Sequence, residues 1–430
     1  MKNFRRIFAF AFILLTILSI SAFYASAEDK RPALYEIYKD HKSYTMVVSR
    51  KGYFANAPEN SLTAIHSAEK AGADIIEIDI RSTADGVLIL MENETVERTC
   101  YGYGENTVVS EMTYNEIKNL KLLFGQGGVN AEKTQETVPT LEKVFKDRKM
   151  SYLSSSSVTT EQKALFMLDF DWSVRDKICN LVIENEMQNE VVFYIDDAKP
   201  DEIRDWKESL PFEPMIMTYF KGNVIFAATA NVKKDAEIAD GIHLATKNPY
   251  GVIFGKTVQN VAYESGIRTM AMPCAPEICG TLMQDTEVWW DYLISKGFNV
   301  IMTDDVAGLK AYIKDCKEKE SQLEKYFYDN IKGFSLPDFN SDKFLDYKRA
   351  YNNALNDTLS ILDDNSSARS DIVTAQYEIQ KAYNDIFANY NELEKGTAGM
   401  TVTPVRVLLC IAAAAIIITA EIYVYKQKKK

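Results

Sequence analysis

Nine short apolar runs, separated by amphipathic segments, constrain the fold of this chain more than any other feature of its sequence. The runs lie at 45–48, 75–80, 87–91, 164–170, 190–195, 214–220, 241–245, 266–272 and 299–303. Several are continuous β-forming stretches without polar alternation, which is typical of parallel strands covered on both faces. Helical patterns such as 61–72 and 286–297 lie between them. Repeated strand–helix units over roughly 260 residues predict a (β/α)8 TIM-type barrel, and a doubly wound open sheet is the alternative.

A second region, from residue 314 to 395, has the composition of an all-α helical module. Its apolar residues recur at helical spacing in two stretches, 344–355 and 372–386, and the polar run 363–367 separates them. This spacing predicts helices with one buried face. We therefore expect a barrel domain over 28–313 followed by a small helical bundle. A stalk of solvated helices is the alternative.

The amino-terminal residues have the pattern of a secretory signal peptide. Basic residues at positions 2, 5 and 6 precede an apolar stretch, and the tripeptide Ala-Ser-Ala at 25–27 offers a cleavage site. This order of charge, apolar core and small residues predicts a signal peptide over 1–27. A retained amphipathic helix is the alternative.

The carboxyl-terminal residues contain a further apolar segment, Val407 to Tyr425. At 1.5 Å per residue this segment is about 28 Å long, which is enough to cross a bilayer. Four lysines within 426–430 follow it, and by the positive-inside rule they place a cytoplasmic tail there. We therefore expect one transmembrane helix over 407–425, a linker over 396–406 and an extracellular barrel on a single-pass cell-membrane protein. A buried core helix is the alternative.

The net charge and the cysteines narrow the possible functions. The formal net charge is −12 and the pI is about 5.0. Without a basic face to neutralise phosphates, the chain is not expected to bind nucleic acid. Five of the six cysteines precede the apolar carboxyl-terminal segment, and this odd number does not describe a disulfide framework. Cys274 and Cys279 are either a pair or two isolated thiols.

Two carboxylates stand at the end of the second apolar run. Glu77 and Asp79 are two residues apart, so on a strand their side chains point to the same face. Two carboxylates held close repel each other, and burial makes this more costly. A divalent cation removes both problems because hard cations prefer oxygen ligands. The alternative is a solvated strand end with no ligand.

Six segments follow one another along the chain: APENS (57–61), AGADIIEIDIRSTADGVLIL (71–90), ERTCYGYG (97–104), MTYNEIKNLKL (112–122), VPTLEKVF (138–145) and GFNVIMTDD (297–305). In order and spacing they resemble the glycerophosphodiester phosphodiesterase family. The resemblance covers roughly residues 45 to 312 and is closer in the first half. It implies a (β/α)8 barrel, a divalent metal, and hydrolysis of a phosphodiester to an alcohol and a phosphomonoester.

The resemblance assigns the metal ligands position by position. The Glu-x-Asp metal pair of the family falls on Glu77 and Asp79, and the third metal carboxylate falls on Asp169. The lysine that follows this third acid in the family is replaced by Asp171. The acid of the Pro-Glu-Asn turn is kept as Glu59, in a supporting role. These assignments predict that the site holds a cation, either calcium or magnesium.

The two catalytic histidines of the family are not matched. The family's His-Arg-Gly triplet falls on Arg50-Lys51-Gly52, or with a shift of one residue its histidine falls on Ser49. The family's His-Asp pair falls on Glu92 and Asn93. We interpret His243, which ends a later run, as a structural residue.

The lack of histidine at these positions affects the catalysis that can be expected. Phosphodiester cleavage needs a general base and a general acid, and losing one costs roughly 10²- to 10⁴-fold in rate. Arg50 does not titrate near neutral pH, but with Lys51 it is suited to bind the charge of a phosphate. Glu92 serves as a base only if burial raises its pKa. The predicted catalytic positions are therefore Arg50 and Glu92, and Arg50 and Lys51 are the predicted phosphate ligands.

Three functions remain open on the sequence alone. The first is an extracellular, membrane-anchored barrel that binds a phosphate-bearing small molecule or an envelope polymer with weak or no turnover. The second is an active metal-dependent phosphoric diester hydrolase in which Glu92 replaces a histidine and the substrate is a lipid-derived glycerophosphodiester or an envelope polymer. The third is a structural surface protein in which the barrel is a scaffold and the helical module carries adhesion.

Overall fold

The computed structural model of the protein describes residues 33–102, 107–154, 164–275, 278, 282–336 and 342–389. Twelve strands lie in this part of the chain: β1 Met46–Ser49, β2 Ile75–Ser82, β3 Leu88–Leu90, β4 Cys100–Tyr101, β5 Lys121–Leu123, β6 Lys133–Thr137, β7 Leu165–Phe170, β8 Val191–Ile195, β9 Met215–Lys221, β10 Gly241–Ala245, β11 Arg268–Ala271 and β12 Val300–Thr303.

Twelve α-helices accompany these strands in the described residues. They are α1 Leu34–Lys39, α2 Leu62–Ala71, α3 Tyr114–Ile117, α4 Leu141–Ser154, α5 Arg175–Glu184, α6 Pro200–Ser209, α7 Ile225–Asp235, α8 Lys256–Ser265, α9 Glu287–Lys296, α10 Val306–Tyr326, α11 Asp342–Asp363 and α12 Arg369–Ala388. Short 3-10 turns and one π-helical turn, Phe327–Ile331, complete the secondary structure.

Eight parallel strands form a closed barrel. In spatial order they are β1, β12, β11, β10, β9, β8, β7 and β2, and β1 also pairs with β2 through Val48 and Ile75. This last pairing closes the sheet, so the predicted TIM-type barrel is confirmed and the doubly wound alternative is wrong. The barrel strands are apolar and buried over most of their length because neighbouring helices cover their outer faces.

The run predicted as a strand at 87–91 forms β3, which is not a barrel strand. It pairs antiparallel to β2, with Ile80 opposite Leu90. Only residues 83–87 connect the two strands, and Gly86 adopts a left-handed conformation there (φ 79°). A parallel return needs a crossover of a dozen or more residues, so this short turn forces the antiparallel arrangement.

The amino-terminal end of the barrel is closed by a buried arginine. The Arg268 guanidinium is fully buried and donates hydrogen bonds to the carbonyl oxygens of Ile37 (2.6 Å), Tyr38 (2.9 Å) and Asp40 (2.7 Å). Burial lowers the pKa of Arg268 to about 10. With this end sealed by α1 and its loop, the carboxyl ends of the strands provide the open face.

An insertion between β3 and α4 lies beside this open face. It contains β4, β5 and β6 and buries its own apolar cluster, which includes Met91, Ile117 and Leu122. The insertion reaches the loop after β1, where the backbone N–H of Glu59 donates to the Gly125 carbonyl oxygen at 2.8 Å. Two distant parts of the chain thereby meet at the mouth of the barrel.

The helical module packs against the barrel. Helix α10 is continuous from Val306 to Tyr326, so the boundary predicted between residues 313 and 314 lies inside one helix. The two predicted helices are α11 and α12, and the apolar face of α12 is buried. Arg369 at the start of α12 forms ion pairs with Glu287 of α9 (2.8 Å) and Asp315 of α10 (3.3 Å). These contacts favour a docked bundle over a solvated stalk.

The predicted signal peptide (1–27), linker (396–406), transmembrane helix (407–425) and basic tail (426–430) lie outside the described residues, as does Cys279. Within the part of the chain that the structure describes, no helix combines the length and the hydropathy needed to cross a bilayer.

Candidate metal and phosphate site

Three carboxylates meet at the carboxyl ends of β2 and β7. Glu77 and Asp79 project from β2, and Asp169 lies opposite Asp79 in the parallel register of β7. One carboxylate oxygen of each lies within 4.8 Å of the other two. Glu77 and Asp79 are 4% and 9% exposed. We call these residues the acidic triad, and they are the three ligands predicted from the sequence.

The acidic triad is electrostatically strained without a counter-charge. Burial, together with the charges of Asp79 and Asp169, raises the pKa of Glu77 well above its usual value. Burial also raises the pKa of Asp79 to about 6, and it raises that of Asp169 strongly, with Asp79 and Asp196 adding to the effect. Three close oxygen ligands that resist ionisation fit a hard divalent cation, which favours their charged forms.

Two tight turns hold the triad in place. The Lys51 backbone N–H donates to Glu77 Oε2 at 2.7 Å. The Asn60 side chain donates from Nδ2 to Asp79 Oδ2 (2.7 Å) and accepts at Oδ1 from the Asp79 N–H (3.0 Å). Lys51 and Asn60 both adopt left-handed backbone conformations (φ 55° and 54°), and the Asn60 N–H donates to the Lys51 carbonyl oxygen at 2.9 Å. Each turn therefore positions one carboxylate of β2.

Sequence reasoning assigned no role to Asn60. We expect Asn60→Gly to weaken Ca²⁺ binding by about 10- to 100-fold, the usual effect of removing a group that orients a metal ligand. Glycine accepts the left-handed backbone conformation, so the change removes the amide without adding strain. Calorimetric titration of the purified protein with Ca²⁺ measures the effect. An unchanged dissociation constant would show that Asn60 does not position Asp79 for a cation.

Two cations beside the triad are already paired with acids. Lys51 is 4% exposed, and its Nζ lies 2.5 Å from Glu92 and 3.8 Å from Glu59. Arg98 Nη2 lies 2.5 Å from Glu59 and 2.7 Å from Glu92. Glu59, the predicted supporting acid, is 2% exposed and binds both cations. Arg98 was not predicted, because nothing in its local sequence reports its distance from Glu59.

Arg50 forms a two-point ion pair with Asp304, which follows β12. Its Nε donates to Asp304 Oδ1 at 2.8 Å and its Nη2 donates to Oδ2 at 2.7 Å. Asp304 and the charge of Glu77 raise the pKa of Arg50 despite its burial. The predicted phosphate ligand Arg50 is therefore at the mouth of the barrel, but a carboxylate occupies two of its donors.

The raised pKa that Glu92 needs in order to act as a base is not found in the structure. Burial raises its pKa, but the hydrogen bond and charge of Lys51 and the charges of Arg98 and Arg50 outweigh burial and leave the pKa below its usual value. A carboxylate with a lowered pKa accepts a proton less readily. Sequence reasoning considered burial alone, and the cations of the fold reverse the result.

None of the three histidines stands at the positions of the predicted catalytic pair. His66 is exposed and lies 2.7 Å from Asp147. His243 is fully buried inside the barrel, its Nδ1 lies 2.9 Å from the Tyr194 hydroxyl, and burial lowers its pKa to about 3. His41 packs edge-on against Tyr263 near the amino-terminal end of the barrel. His243 is thus bound within the core, in agreement with the structural role predicted for it.

The fold and this site define a class: a TIM barrel with an acidic cation site at the carboxyl ends of its strands. Residues 51–248 match the model of the glycerophosphoryl diester phosphodiesterase family. Over these residues, which are less than half of the chain, the barrel is similar to that family.

Individual relatives cover only part of the chain. A glycerophosphodiester phosphodiesterase of Caldanaerobacter subterraneus is 39% identical over 103 residues, which are 24% of this chain and 39% of that protein. Glycerophosphodiester phosphodiesterase 1 of Mus musculus is 37% identical over 95 residues, or 22% of this chain and 28% of the relative. The alignments thus span about two fifths or less of these curated relatives.

A solved structure supports the fold over a longer range. The crystal structure of a glycerophosphoryl diester phosphodiesterase from Parabacteroides distasonis is similar with a TM-score of 0.50. It is 19% identical and covers 66% of this chain and 92% of its own. At this identity the likeness supports the barrel alone.

Proposed function

We propose that this protein binds a divalent cation in the acidic triad and, through that cation, a phosphodiester or other phosphate-bearing ligand, with weak or no turnover. The observation that carries the proposal is the pairing of both residues that stand where the family has its histidines. Arg50 is bound by Asp304, and Glu92 is bound by Lys51 and Arg98. In this proposal the acidic triad serves as the cation site, and ion pairs take the places of the proton-transfer groups.

The chemistry of these replacements argues against efficient hydrolysis. An arginine remains charged at every accessible pH, so Arg50 neither takes nor gives a proton. Glu92 is held ionised by two cations, so it has no proton to give near neutral pH. What Arg50 and Lys51 provide is positive charge beside the triad, which suits the binding and orientation of phosphate oxygens.

A bound cation would be held by Glu77, Asp79 and Asp169, and it would supply positive charge for a phosphate oxygen. The chain's own residues set the rest of the site. Asn60 and the Lys51 backbone N–H orient two of the carboxylates, and Glu59 keeps Lys51 and Arg98 in place. The expected cation is calcium or magnesium, because all three side chains are carboxylates.

An active hydrolase is the second candidate, and one observation favours it. Glu92 is ionised and partly exposed, with 38% of its side chain accessible, so its carboxylate is available as a weak base at the mouth of the barrel. In this alternative Glu92→Gln abolishes hydrolysis. An unchanged rate in that variant would remove Glu92 from any mechanism.

Melting and hydrolysis measured on the same preparation test the proposal. We expect saturating Ca²⁺ or Mg²⁺ to raise the melting temperature, since a ligand at 100 times its dissociation constant adds about 2.7 kcal/mol of stability. We expect little or no release of glycerol phosphate from glycerophosphodiesters under the same conditions. Rapid release would favour the hydrolase. A melting temperature unaffected by cation and by phosphate would instead indicate a scaffold in a structural surface protein.

We further propose that the barrel lies outside the cell, where it binds a phosphate-bearing small molecule or an envelope polymer, and is held by a carboxyl-terminal membrane helix. The basic, apolar and small-residue order of 1–27 and the apolar segment 407–425 with its lysines support this location. Protease added to intact cells should remove the barrel and leave a tail-tagged fragment protected. A barrel that resists protease until the cells are lysed would contradict it.

A further inference from the structure

We propose that Asp304 is a specificity-determining residue, which holds Arg50 in a neutral ion pair and so favours a phosphodiester monoanion over a phosphomonoester dianion. This inference rests on the proposed binding of a phosphate-bearing ligand, and it assigns the ionic class of that ligand. Sequence reasoning gave Asp304 no role, and the ion pair joins residues 254 positions apart in the chain.

The geometry commits Arg50 to Asp304. Nε and Nη2 of the guanidinium meet the two oxygens of the carboxylate at 2.8 and 2.7 Å, which is the parallel two-bond arrangement of a strong charge-assisted pair. Their side chains are only 13% and 29% exposed, so water screens this pair less than a surface pair. An incoming anion must therefore share Arg50 with a fixed negative charge.

The position of Asp304 is itself fixed by a second acid. Asp285 Oδ2 accepts from the Asp304 backbone N–H at 2.7 Å and from the Thr303 hydroxyl at 2.8 Å. Asp285 Oδ1 accepts from Trp290 Nε1 at 2.8 Å. The loop that carries Asp304 is thus bound at several points, and Asp304 does not need an incoming ligand to order it.

The charge balance around the triad shows why a second negative charge on the ligand would weaken its binding. Besides the three triad carboxylates, the acids Glu59, Glu92 and Asp304 lie at the site. The cations paired with these acids are Arg50, Lys51 and Arg98. With all groups ionised, six acids face three cations, and a divalent cation still leaves the site with one net negative charge. Asp196 and Asp171, near Arg81, add to this excess.

A negative site discriminates between ligands by their charge. A phosphodiester carries one negative charge, whereas a phosphomonoester approaches two above its second pKa of about 6. The second charge is attracted by the bound cation but repelled by carboxylates that are only partly screened. Because Asp304 neutralises Arg50, the second ligand charge gains no attraction from a free arginine. The site therefore binds the dianion less tightly than the monoanion. This would also favour release of a monoester.

The test compares two anions on the Ca²⁺-loaded full chain at pH 8. The probes are dimethyl phosphate, a monoanion, and methyl phosphate, a dianion at this pH, and calorimetry or ligand-observed NMR gives both dissociation constants. We expect wild type to prefer the diester by about ten-fold, or about 1.4 kcal/mol. Asp304→Asn keeps the shape of the side chain and should remove or reverse the preference. The ratio of the two constants does not depend on the fraction of protein that is folded.

Asp305→Asn is the matched control. It removes the same charge one residue further on, where the side chain caps α10 by accepting from the Gly308 N–H at 2.9 Å, and asparagine is an equally good cap. The control should keep the wild-type ratio. An equal ratio in wild type and Asp304→Asn, or a wild type that prefers the monoester, would overturn the role of Asp304 and leave the proposed function standing. Failure of both anions to bind either protein, despite Ca²⁺ binding, would overturn both proposals.

Discussion

Asp79→Asn is expected to abolish the rise in melting temperature that Ca²⁺ causes in the wild-type protein. The substitution removes one of three carboxylates whose oxygens lie within 4.8 Å of one another, and it removes one negative charge from the cation site. The Asn60 side chain can still donate to the remaining oxygen at position 79, so the turn should keep its geometry. Melting curves with and without Ca²⁺ measure the effect.

The same variant is expected to be more stable than wild type in the absence of cation at pH 8. Burial raises the pKa of Asp79 from 3.8 to about 6. At roughly 1.36 kcal/mol per unit, that difference corresponds to about 3 kcal/mol that the folded protein loses when Asp79 ionises. Asparagine carries no charge and avoids this loss.

The pH dependence has a definite sign. Because the folded protein holds the Asp79 proton more tightly than the unfolded chain, the contribution of this group to stability is complete below about pH 4 and is lost as pH rises through about 6. The gap in the free energy of unfolding between Asp79→Asn and cation-free wild type should therefore widen from pH 4 to pH 8. Denaturant titrations at several pH values measure it.

Asp205→Asn is the control for this series. Asp205 is exposed on α6 and lies away from the triad, so the change should alter neither the Ca²⁺ response nor the pH profile. A Ca²⁺-induced rise in the melting temperature of Asp79→Asn equal to that of wild type would place the cation elsewhere.

Arg50→His combined with Glu92→His is expected to create phosphodiesterase activity about 10²- to 10⁴-fold above wild type, the range supplied by a general acid or base. The two positions lie on the same side of the mouth, close enough that the charge of Arg50 lowers the pKa of Glu92. Histidine titrates near neutrality and provides what both native residues lack. Release of glycerol phosphate from glycerophosphocholine in Ca²⁺ measures the gain.

The control variant combines Arg50→Lys with Glu92→Gln. It also disrupts the native ion pairs of both residues, but it places no group with a pKa near 7 at either position. We expect it to remain as slow as wild type, and we expect each single histidine variant to gain less than the double variant. Equal activity in the control and the double histidine variant would mean that activity rises because the native ion pairs are broken, and not because histidine transfers protons.

Much of the site was predictable because its signals are local in the sequence. Glu77 and Asp79 stand two residues apart on one strand, which directs both side chains to one face, and Asp169 lies one residue before the end of another barrel strand. The absence of histidine at Arg50 and Glu92 is also visible in the sequence. Strand β3 was misplaced among the barrel candidates because its apolar composition does not report the direction of pairing, which the short turn at 83–87 decides.

The sequence by itself determined the alternation of strands and helices, the Glu77 and Asp79 pair and the absence of histidine at positions 50 and 92, since each can be read from residues close together in the chain. Only the tertiary structure decided the closure of the barrel, the docking of the helical module and the partners of the charged groups. Arg50 and Asp304 are 254 residues apart, and the pKa of Glu92 depends on its distances to Lys51 and Arg98. Electrostatic energies vary with separation in space and with burial, and sequence spacing fixes neither for residues on different strands.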